Sequence, residues 1–483
     1  MATSPVSSLD LLVLNVNSTI PVIASTCPPA TNGFDSHPLI RPEGMVREYN
    51  PALKGRGIRS NLAWMVAGTV WSGLCQWALL VALAKLGTVD MVGAFTLGMA
   101  IALPVLMFSC LNLRALYVTD CNYTYRFREY LALRLLMAAA SVGFASLLAV
   151  AGGYSRDLIL AISLITLAKA FEYISDILYG LLQRQERMTA ISISMMLRGT
   201  LSLCTLSVAV YSRGSLVWGA AGLALSSAVI LLAFDVPVSL SLLDFRFGFA
   251  LRECAAYARG TFAGGSGEYR RLRSLALAGV PLGLVLMLVS LNLNIPRYFV
   301  ERSFGIREQG IFSSLANLMA AGSVVVGALG QCATPRLAKY FAEGRMRAFR
   351  ELLWALVLTS LGLGGAGLAV ALAFGHQALA VIYRPEYATR EDVFVWLMAA
   401  SGMLYLGSTM GVAVTAVRCF APQLPLFAVS AASTALTCFV LVPIMGLRGA
   451  AVAIFISAII QCAGGGLLLR NACRRAGTMA TSA

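Results

Sequence analysis

The sequence predicts an all-α protein that crosses a membrane about twelve times. Of its 483 residues, 58% are hydrophobic and only 12% are charged, and the mean hydropathy is +0.78. Soluble domains carry roughly 25% charged residues, so a chain this apolar needs lipid as its solvent. Its apolar runs are also long enough to span a bilayer, and polar segments separate them. No soluble catalytic domain is expected.

Twelve segments have the length of a spanning helix, which needs about 20 apolar residues. In lipid each backbone group must be satisfied within its own segment, so the segments are predicted to be helices. They are Leu62–Ala84, Met91–Val118, Leu131–Gly153, Leu158–Leu182, Met188–Tyr211 and Leu216–Leu240, then Leu275–Pro296, Ile311–Ala333, Leu352–Phe374, Val393–Val417, Leu424–Met445 and Gly449–Leu469.

The order of these segments divides the chain. Residues 1–60 are predicted to be a disordered cytoplasmic tail, and 61–240 to form a first lobe of six helices. A basic cytoplasmic linker, 241–273, precedes a second six-helix lobe, 274–475. Short sequences recur at matching positions: Gly93-x-Phe95 as Gly310-x-Phe312, and Gly219-Ala220-Ala221 as Gly449-Ala450-Ala451. Repeats with an even number of spans are parallel and are related by an axis along the membrane normal.

The distribution of basic residues predicts that both termini are cytoplasmic. Of the 37 Lys and Arg residues, 25 fall in segments that are then cytoplasmic and 9 fall in outer loops. Such a bias follows the positive-inside rule, so the net charge of +15 does not indicate nucleic-acid binding. The basic linker either only sets topology and touches anionic lipid head groups, or also attracts an anionic lipid-linked substrate.

Several classes of activity lack their motifs. The sequence contains no GxxxxGK[ST] and no GxSxG or HExxH, so an ATP-driven exporter and the common hydrolases are excluded. Its eleven cysteines form no CxxC pair and only two histidines are present, so no metal or other cofactor is expected.

Charged residues within the predicted spans are candidates for function, because a buried charge is costly unless it is paired or hydrated. Lys169, Glu172 and Asp176 are spaced to share one helix face, and we expect Glu172 to pair with Arg198 at the same height in the next span. This network is either a structural clasp or a proton or ion relay. Two other charged residues, Arg134 and Asp235, lie near span ends and are expected to extend towards water.

Short motifs then suggest a family. Asn294-Ile295-Pro296-Arg297-Tyr298-Phe299, followed by Gly305 and Gly310-Ile311-Phe312-Ser313, resembles bacterial Wzx-type polysaccharide flippases. These belong to the multidrug/oligosaccharidyl-lipid/polysaccharide (MOP) exporter superfamily. Further similar stretches are Ala84-Lys85-Leu86-Gly87, Gly180-Leu181-Leu182-Gln183 and Pro335-Arg336-Leu337-Ala338. Many relatives carry Asp before the equivalent of Arg297, where this chain has Pro296.

The resemblance implies a V-shaped, MATE-like fold with a central cavity in the bacterial inner membrane. It also implies transport of undecaprenyl-pyrophosphate-linked oligosaccharide from the inner to the outer leaflet. This transport is expected to proceed without ATP hydrolysis, and coupling to H⁺ or Na⁺ stays open. Arg114 and Arg297 are the candidate phosphate ligands, because guanidinium donates bidentately, and Asn292, Asn294 and Asn317 are candidate cavity residues. The expected partners are the bilayer, this substrate and other polysaccharide assembly proteins.

Two alternatives stay open at this point. A cation-coupled drug or metabolite exporter of the same superfamily would need carboxylates in its cavity, which Glu172 and Asp176 could provide. A membrane-embedded glycan polymerase is the third reading, although the loops predicted here are short for that class of enzyme.

Overall fold

The structure is a computed structural model that describes residues 58–120, 124–242, 266–417 and 422–481, and these residues contain helices and no strands. We number the helices α1 to α14. The first seven are Ile58–Leu86, Val89–Cys110, Leu113–Thr119, Phe127–Ala151, Arg156–Arg184, Met188–Arg213 and Leu216–Ile230, the last continuing through a π-turn (Leu231–Asp235) into Val236–Leu240. The others are Ser266–Asn317, Met319–Ala342, Met346–Ile382, Pro385–Ala388, Glu391–Ala416, Gln423–Met445 and Leu447–Thr481.

Within the described ranges, eleven helices are long and apolar enough to cross a membrane, which confirms a polytopic all-α fold of about twelve spans. The difference between the twelve predicted spans and these eleven helices arises at the predicted spans seven and eight. Helix α8 does not end at Pro296 but runs on to Asn317, with a kink at Gly305, where φ is 84°. The eighth predicted span therefore begins on α8 and continues on α9.

Three segments differ locally from the predictions. The predicted loop 297–310 is helical, because α8 continues through it. The predicted second span is broken, since Leu111 and Asn112 have positive φ values that end α2 and start the short helix α3. Helix α10 extends past Phe374 to Ile382. The predicted tail lies outside the described residues apart from its last three, and the linker does so except for its two ends, of which Ser266–Arg273 is the start of α8.

The helices form two lobes. In the N-terminal lobe, α1 packs on α6, and α5 packs on α4 and α7; in the C-terminal lobe, α12 packs on α10 and α14, and α13 packs on α14. The longest helix, α8, lies along α2 and connects the lobes.

The small residues of the sequence repeat occupy equivalent places. Gly219 on α7 packs against Val210 of α6, and Gly449 on α14 packs against Leu441 of α13. Gly93 and Gly310 meet each other: a Cβ added to Gly310 would lie 2.8 Å from the Gly93 nitrogen. Equivalent residues of two repeats touch where a two-fold pseudo-symmetry axis passes, so this contact marks the axis between the lobes.

Candidate functional site

A cavity of about 560 Å³ lies between the lobes, with walls from α1, α2, α8, α9, α12 and α14. Its lining is mostly apolar and includes Val70, Leu74, Phe312, Val325 and Leu329. The polar lining residues are Gln76, Trp77, Asn294, Arg297 and Asn317. Three of the sequence-predicted candidates, Arg297, Asn294 and Asn317, are thus brought together here.

Arg297 is the charged residue of this cavity, and no Asp or Glu is among the described residues that line it. Its Nη1 donates to Asn294 Oδ1 at 2.9 Å, and Asn294 Nδ2 in turn donates to the Ser290 carbonyl oxygen at 2.8 Å. Among the described ion pairs none involves Arg297. The side chain is therefore oriented by an amide while its charge is not neutralised by the protein.

Further polar atoms around the cavity lack partners. Trp77 Nε1, Asn317 Nδ2 and Gln76 Oε1 are buried and have no hydrogen-bond partner among the described residues. Buried polar groups are normally hydrogen-bonded, and an unsatisfied one costs about 1–3 kcal/mol. Two of the three atoms are N–H donors, so together with the guanidinium the cavity mainly offers donors to a ligand.

The flank of the cavity between α1 and α9 is exposed. Val70 and Leu74 on α1 are 36% and 55% exposed, and Val325 and Leu329 on α9 are 44% and 38% exposed. These apolar side chains line the cavity, so it has an apolar side as well as a donor-rich interior.

The lobes are joined at one end of the helices, which we call the sealed face (residues 85–90, 301–310 and 381–390). Lys85 Nζ donates to the Val381 carbonyl oxygen at 3.1 Å, and Arg384 donates to the Lys85 carbonyl oxygen at 2.6 Å. Arg307 lies 2.9 Å from Glu386 and 3.9 Å from Asp90. The Gly93–Gly310 contact lies just beneath.

Arg114 does not reach the central cavity. It is 2% exposed inside the N-terminal lobe, where Nη1 contacts Asp176 Oδ1 at 3.0 Å and where Nε and Nη2 both donate to Gln183 Oε1. The prediction that it could contact substrate phosphate is not supported by this position, because the broken second span turns it into the lobe. Arg134, 3.4 Å from the other oxygen of Asp176, is also buried rather than extended to water.

The predicted Glu172–Arg198 pair is wrong. Lys169 Nζ pairs with Glu172 Oε2 at 2.8 Å on the same helix, and Arg198 Nη2 pairs with Asp235 Oδ2 at 2.6 Å. Asp235 is fully buried and also accepts a hydrogen bond from Ser194. The hairpin geometry gave the heights of Glu172 and Arg198 but not the direction in which each side chain leaves its helix, and α7 supplies a nearer carboxylate.

These charges border a smaller cavity of about 70 Å³ inside the N-terminal lobe, the N-lobe cavity, whose lining includes Lys169, Glu172, Asp176 and Arg198. The C-terminal lobe has a similar cavity of about 80 Å³, lined by Asn292, Gln461 and Tyr405 among others. Asn292 is therefore separate from the central cavity. Its Oδ1 accepts hydrogen bonds from Thr434 and Ser457, at 2.6 and 3.1 Å.

Comparison with solved structures identifies the architecture. A MOP superfamily transporter from Pyrococcus furiosus, for which the reverse polarity of its binding pocket suggests a different function, has a TM-score of 0.59 at 16% identity. The match covers 86% of this chain and 95% of the other. A MATE family multidrug transporter in an outward-facing conformation gives 0.57 at 14% identity, covering 87% and 96%. The chain has the MOP exporter fold.

The sequence comparison points to one branch of that superfamily. The capsular polysaccharide biosynthesis protein CapF of Staphylococcus aureus is 25% identical over 400 residues, which cover 82% of this chain and 95% of CapF. No family model matches the chain. The relative and the shared MOP fold together confirm the resemblance to the polysaccharide-type MOP proteins, and they confirm the multi-pass membrane character of the chain.

Four residues of the buried ion pairs and of the cavity lining were missed as site candidates. Arg134 and Asp235 were noticed but assigned to span ends, although their burial makes them members of the charge network. Gln76 and Trp77 lie on α1, and a polar pair in the middle of an apolar span was a signal that could have found them.

Proposed function

We propose that the protein is a flippase that moves undecaprenyl-pyrophosphate-linked oligosaccharide from the inner to the outer leaflet of a bacterial cytoplasmic membrane. The observation that carries this proposal is Arg297, a guanidinium without a carboxylate partner in a central cavity whose described lining contains no acid. The polysaccharide context of the CapF relative supports it.

The chemistry of such a substrate matches the cavity. A pyrophosphate cannot enter hydrocarbon unaided, because removing charged groups from water costs tens of kcal/mol in the idealised limit. Arg297 can donate bidentately to phosphate oxygens, and Trp77 Nε1 and Asn317 Nδ2 can donate to phosphate or sugar oxygens. The exposed apolar flank between α1 and α9 lets the polyprenyl chain stay in lipid while the head group is inside.

The orientation of the protein gives this cavity a direction of loading. With both termini cytoplasmic, as the distribution of Lys and Arg predicts, the sealed face is extracytoplasmic. Substrate then enters from the inner leaflet, and release outside requires the lobes to separate at the sealed face. Cysteines introduced into the linker and at both termini should be labelled only from the cytoplasmic side, and labelling from outside would contradict this orientation.

The decisive experiment measures translocation of a defined lipid-linked oligosaccharide in proteoliposomes. Arg297→Gln should lower the rate about ten- to hundred-fold, because a hydrogen bond to a charged group contributes about 1.5–3 kcal/mol. Arg297→Lys should retain part of the activity. The matched control is Arg347→Gln, an arginine of the C-terminal lobe that is 93% exposed and does not line the cavity.

The cation-coupled drug exporter is disfavoured by the same cavity, since a cationic solute would meet a guanidinium and no acid among the described lining residues. Efflux of cationic drugs together with no translocation of the glycolipid would contradict the flippase proposal. So would full activity of Arg297→Gln.

A further inference from the structure

The charge of the central cavity depends on the side chain that contacts Arg297. Arg297 Nη1 donates to Asn294 Oδ1 at 2.9 Å. The two residues are three positions apart on α8, so their side chains are neighbours on one face of the helix. A carboxylate at this spacing would form an ion pair and neutralise the guanidinium, whereas an amide orients the guanidinium without adding a negative charge.

The Asn294 amide is itself fixed by the preceding turn of α8. Its Nδ2 donates to the Ser290 carbonyl oxygen at 2.8 Å and lies 3.5 Å from Ser290 Oγ. Asn294 is 1% exposed and Ser290 is fully buried. The amide nitrogen therefore faces its own helix, and Oδ1 is the atom that remains for the guanidinium. The amide acts on a ligand through Arg297.

Buried arginines elsewhere in the chain have a different kind of partner. Arg134 contacts Asp176 at 3.4 Å, and Arg198 contacts Asp235 at 2.6 Å. Arg297 instead contacts an amide, and no Asp or Glu is among the described residues that line its cavity. A charge without a counter-charge inside a membrane costs free energy, so its presence marks a place where a ligand is handled.

We propose that Asn294 makes the central cavity selective for anionic head groups. Its neutral amide holds the guanidinium of Arg297 in the cavity wall and leaves the positive charge available to phosphate. Asn294 is thus a positioning residue. The inference rests on the proposed function for the identity of the transported lipid, and it assigns the charge selectivity of that site to one side chain.

The first measurement is thermal unfolding of the purified full-length protein in detergent, with increasing inorganic pyrophosphate at constant ionic strength. A ligand that binds the folded state raises the unfolding temperature in a saturable way. We expect such a rise for the parent protein and its loss in Arg297→Gln. If pyrophosphate produces no rise that Arg297→Gln removes, the inference is overturned.

Two changes of Asn294 separate its charge from its shape. Asn294→Asp keeps the shape and neutralises Arg297, and it should raise the half-saturating pyrophosphate concentration about ten- to hundred-fold. Asn294→Ala removes one neutral hydrogen bond and should raise it only about two- to ten-fold. A merely structural role predicts the reverse order, because alanine leaves a gap and aspartate does not. The reverse order therefore overturns the inference.

The matched control is Asn471→Asp. It makes the same chemical change at an exposed position of α14 that does not line the central cavity. The pyrophosphate response of this variant should equal that of the parent protein. A loss as large as that in Asn294→Asp would show that the response reflects the net charge of the protein, and it would overturn the inference.

Asn294→Asp also loses the bond to the Ser290 carbonyl oxygen, and Asn294→Ala keeps the test decisive if the aspartate variant does not fold. An unchanged half-saturating concentration in Asn294→Ala means that the amide does not position the guanidinium. Complete loss of the response means that the amide, rather than the charge of Arg297, holds the anion. Either result overturns the inference, and the intermediate response supports it.

Translocation of the lipid-linked oligosaccharide in proteoliposomes distinguishes this inference from the proposed function. Pyrophosphate binding that is weakened by Asn294→Asp, in a protein that does not translocate the glycolipid, supports the charge selectivity and overturns the flippase proposal. Translocation by the parent protein at the same rate as by Asn294→Asp has the opposite meaning: the flippase proposal is supported and the role of Asn294 is overturned.

Discussion

Replacing Gly93 by alanine should open the sealed face. A Cβ at this position would overlap the carbonyl oxygen of Ile306 and lie 2.7 Å from Ile306 Cγ2, so α2 and α8 cannot keep their present separation. The overlap involves backbone, which cannot rotate away. Overpacking typically costs about 1–3 kcal/mol, which shifts the conformational equilibrium about five- to hundred-fold away from the sealed state. A conformation in which the lobes are separated at this point avoids the overlap and its free-energy cost.

The assay is pulsed EPR between spin labels at positions 90 and 386, which lie on opposite sides of the sealed face. Gly93→Ala should transfer population to longer distances, and Gly310→Ala should do the same, because its Cβ would lie 2.6 Å from the Val89 carbonyl oxygen. Gly98→Ala is the matched control on the same helix, since its Cβ would meet only the mobile tip of Ile165. If Gly93→Ala and Gly310→Ala both give the distance distribution of the parent, the Gly93–Gly310 contact does not determine closure.

Three further outcomes are expected from thermal or chemical unfolding of purified variants. Arg198→Met should lower the free energy of unfolding by about 3–5 kcal/mol because it leaves Asp235 charged and unpaired. The double variant with Asp235→Leu should lose less stability than Arg198→Met alone. If the effects of the two single changes simply add, the residues do not form a pair. Asp176→Asn should destabilise more than Glu172→Gln, because it neutralises the carboxylate that two arginines share rather than the partner of one lysine. The reverse order would contradict the shared contact. Arg307→Gln should cost less than about 1 kcal/mol, since Arg307 is 57% exposed, and a larger loss would show that the surface contacts dominate closure.

The spanning helices could be predicted because each corresponds to a local sequence signal, a run of apolar residues of the right length. Their ends were less accessible to this reasoning. Arg297–Gly310 is polar and was read as a loop, yet the backbone stays helical through it and bends only at Gly305. Polar residues can continue a helix where they face a cavity or another lobe, and composition alone does not reveal which surface they face.

The candidate site shows the same limit. Arg297, Asn294 and Asn317 share the central cavity, because they lie close along the chain on one helix, α8, that faces the other lobe. Arg198 could not be matched with Asp235, which is 37 residues away on a third helix. Counting along a hairpin gives the depth of a residue, whereas its partner depends on the rotation of each helix and on the π-turn that ends at Asp235.

Comparing the two lobes indicates whether the buried charges of the N-terminal lobe are needed for folding. The C-terminal lobe reaches the same arrangement of helices with buried polar side chains that are all uncharged in the described residues. The fold therefore does not require a charged interior, and the ion pairs of the N-terminal lobe cannot be explained as a condition of folding. Buried ion pairs often stabilise no more than apolar residues of similar volume would. Buried ion pairs on this side of the axis are explained if the N-terminal lobe acts on a charged species that the C-terminal lobe does not meet. Transport by Asp176→Asn and Arg198→Met, measured beside their stability, tests that difference: a variant that stays folded but loses transport supports it, and full transport contradicts it.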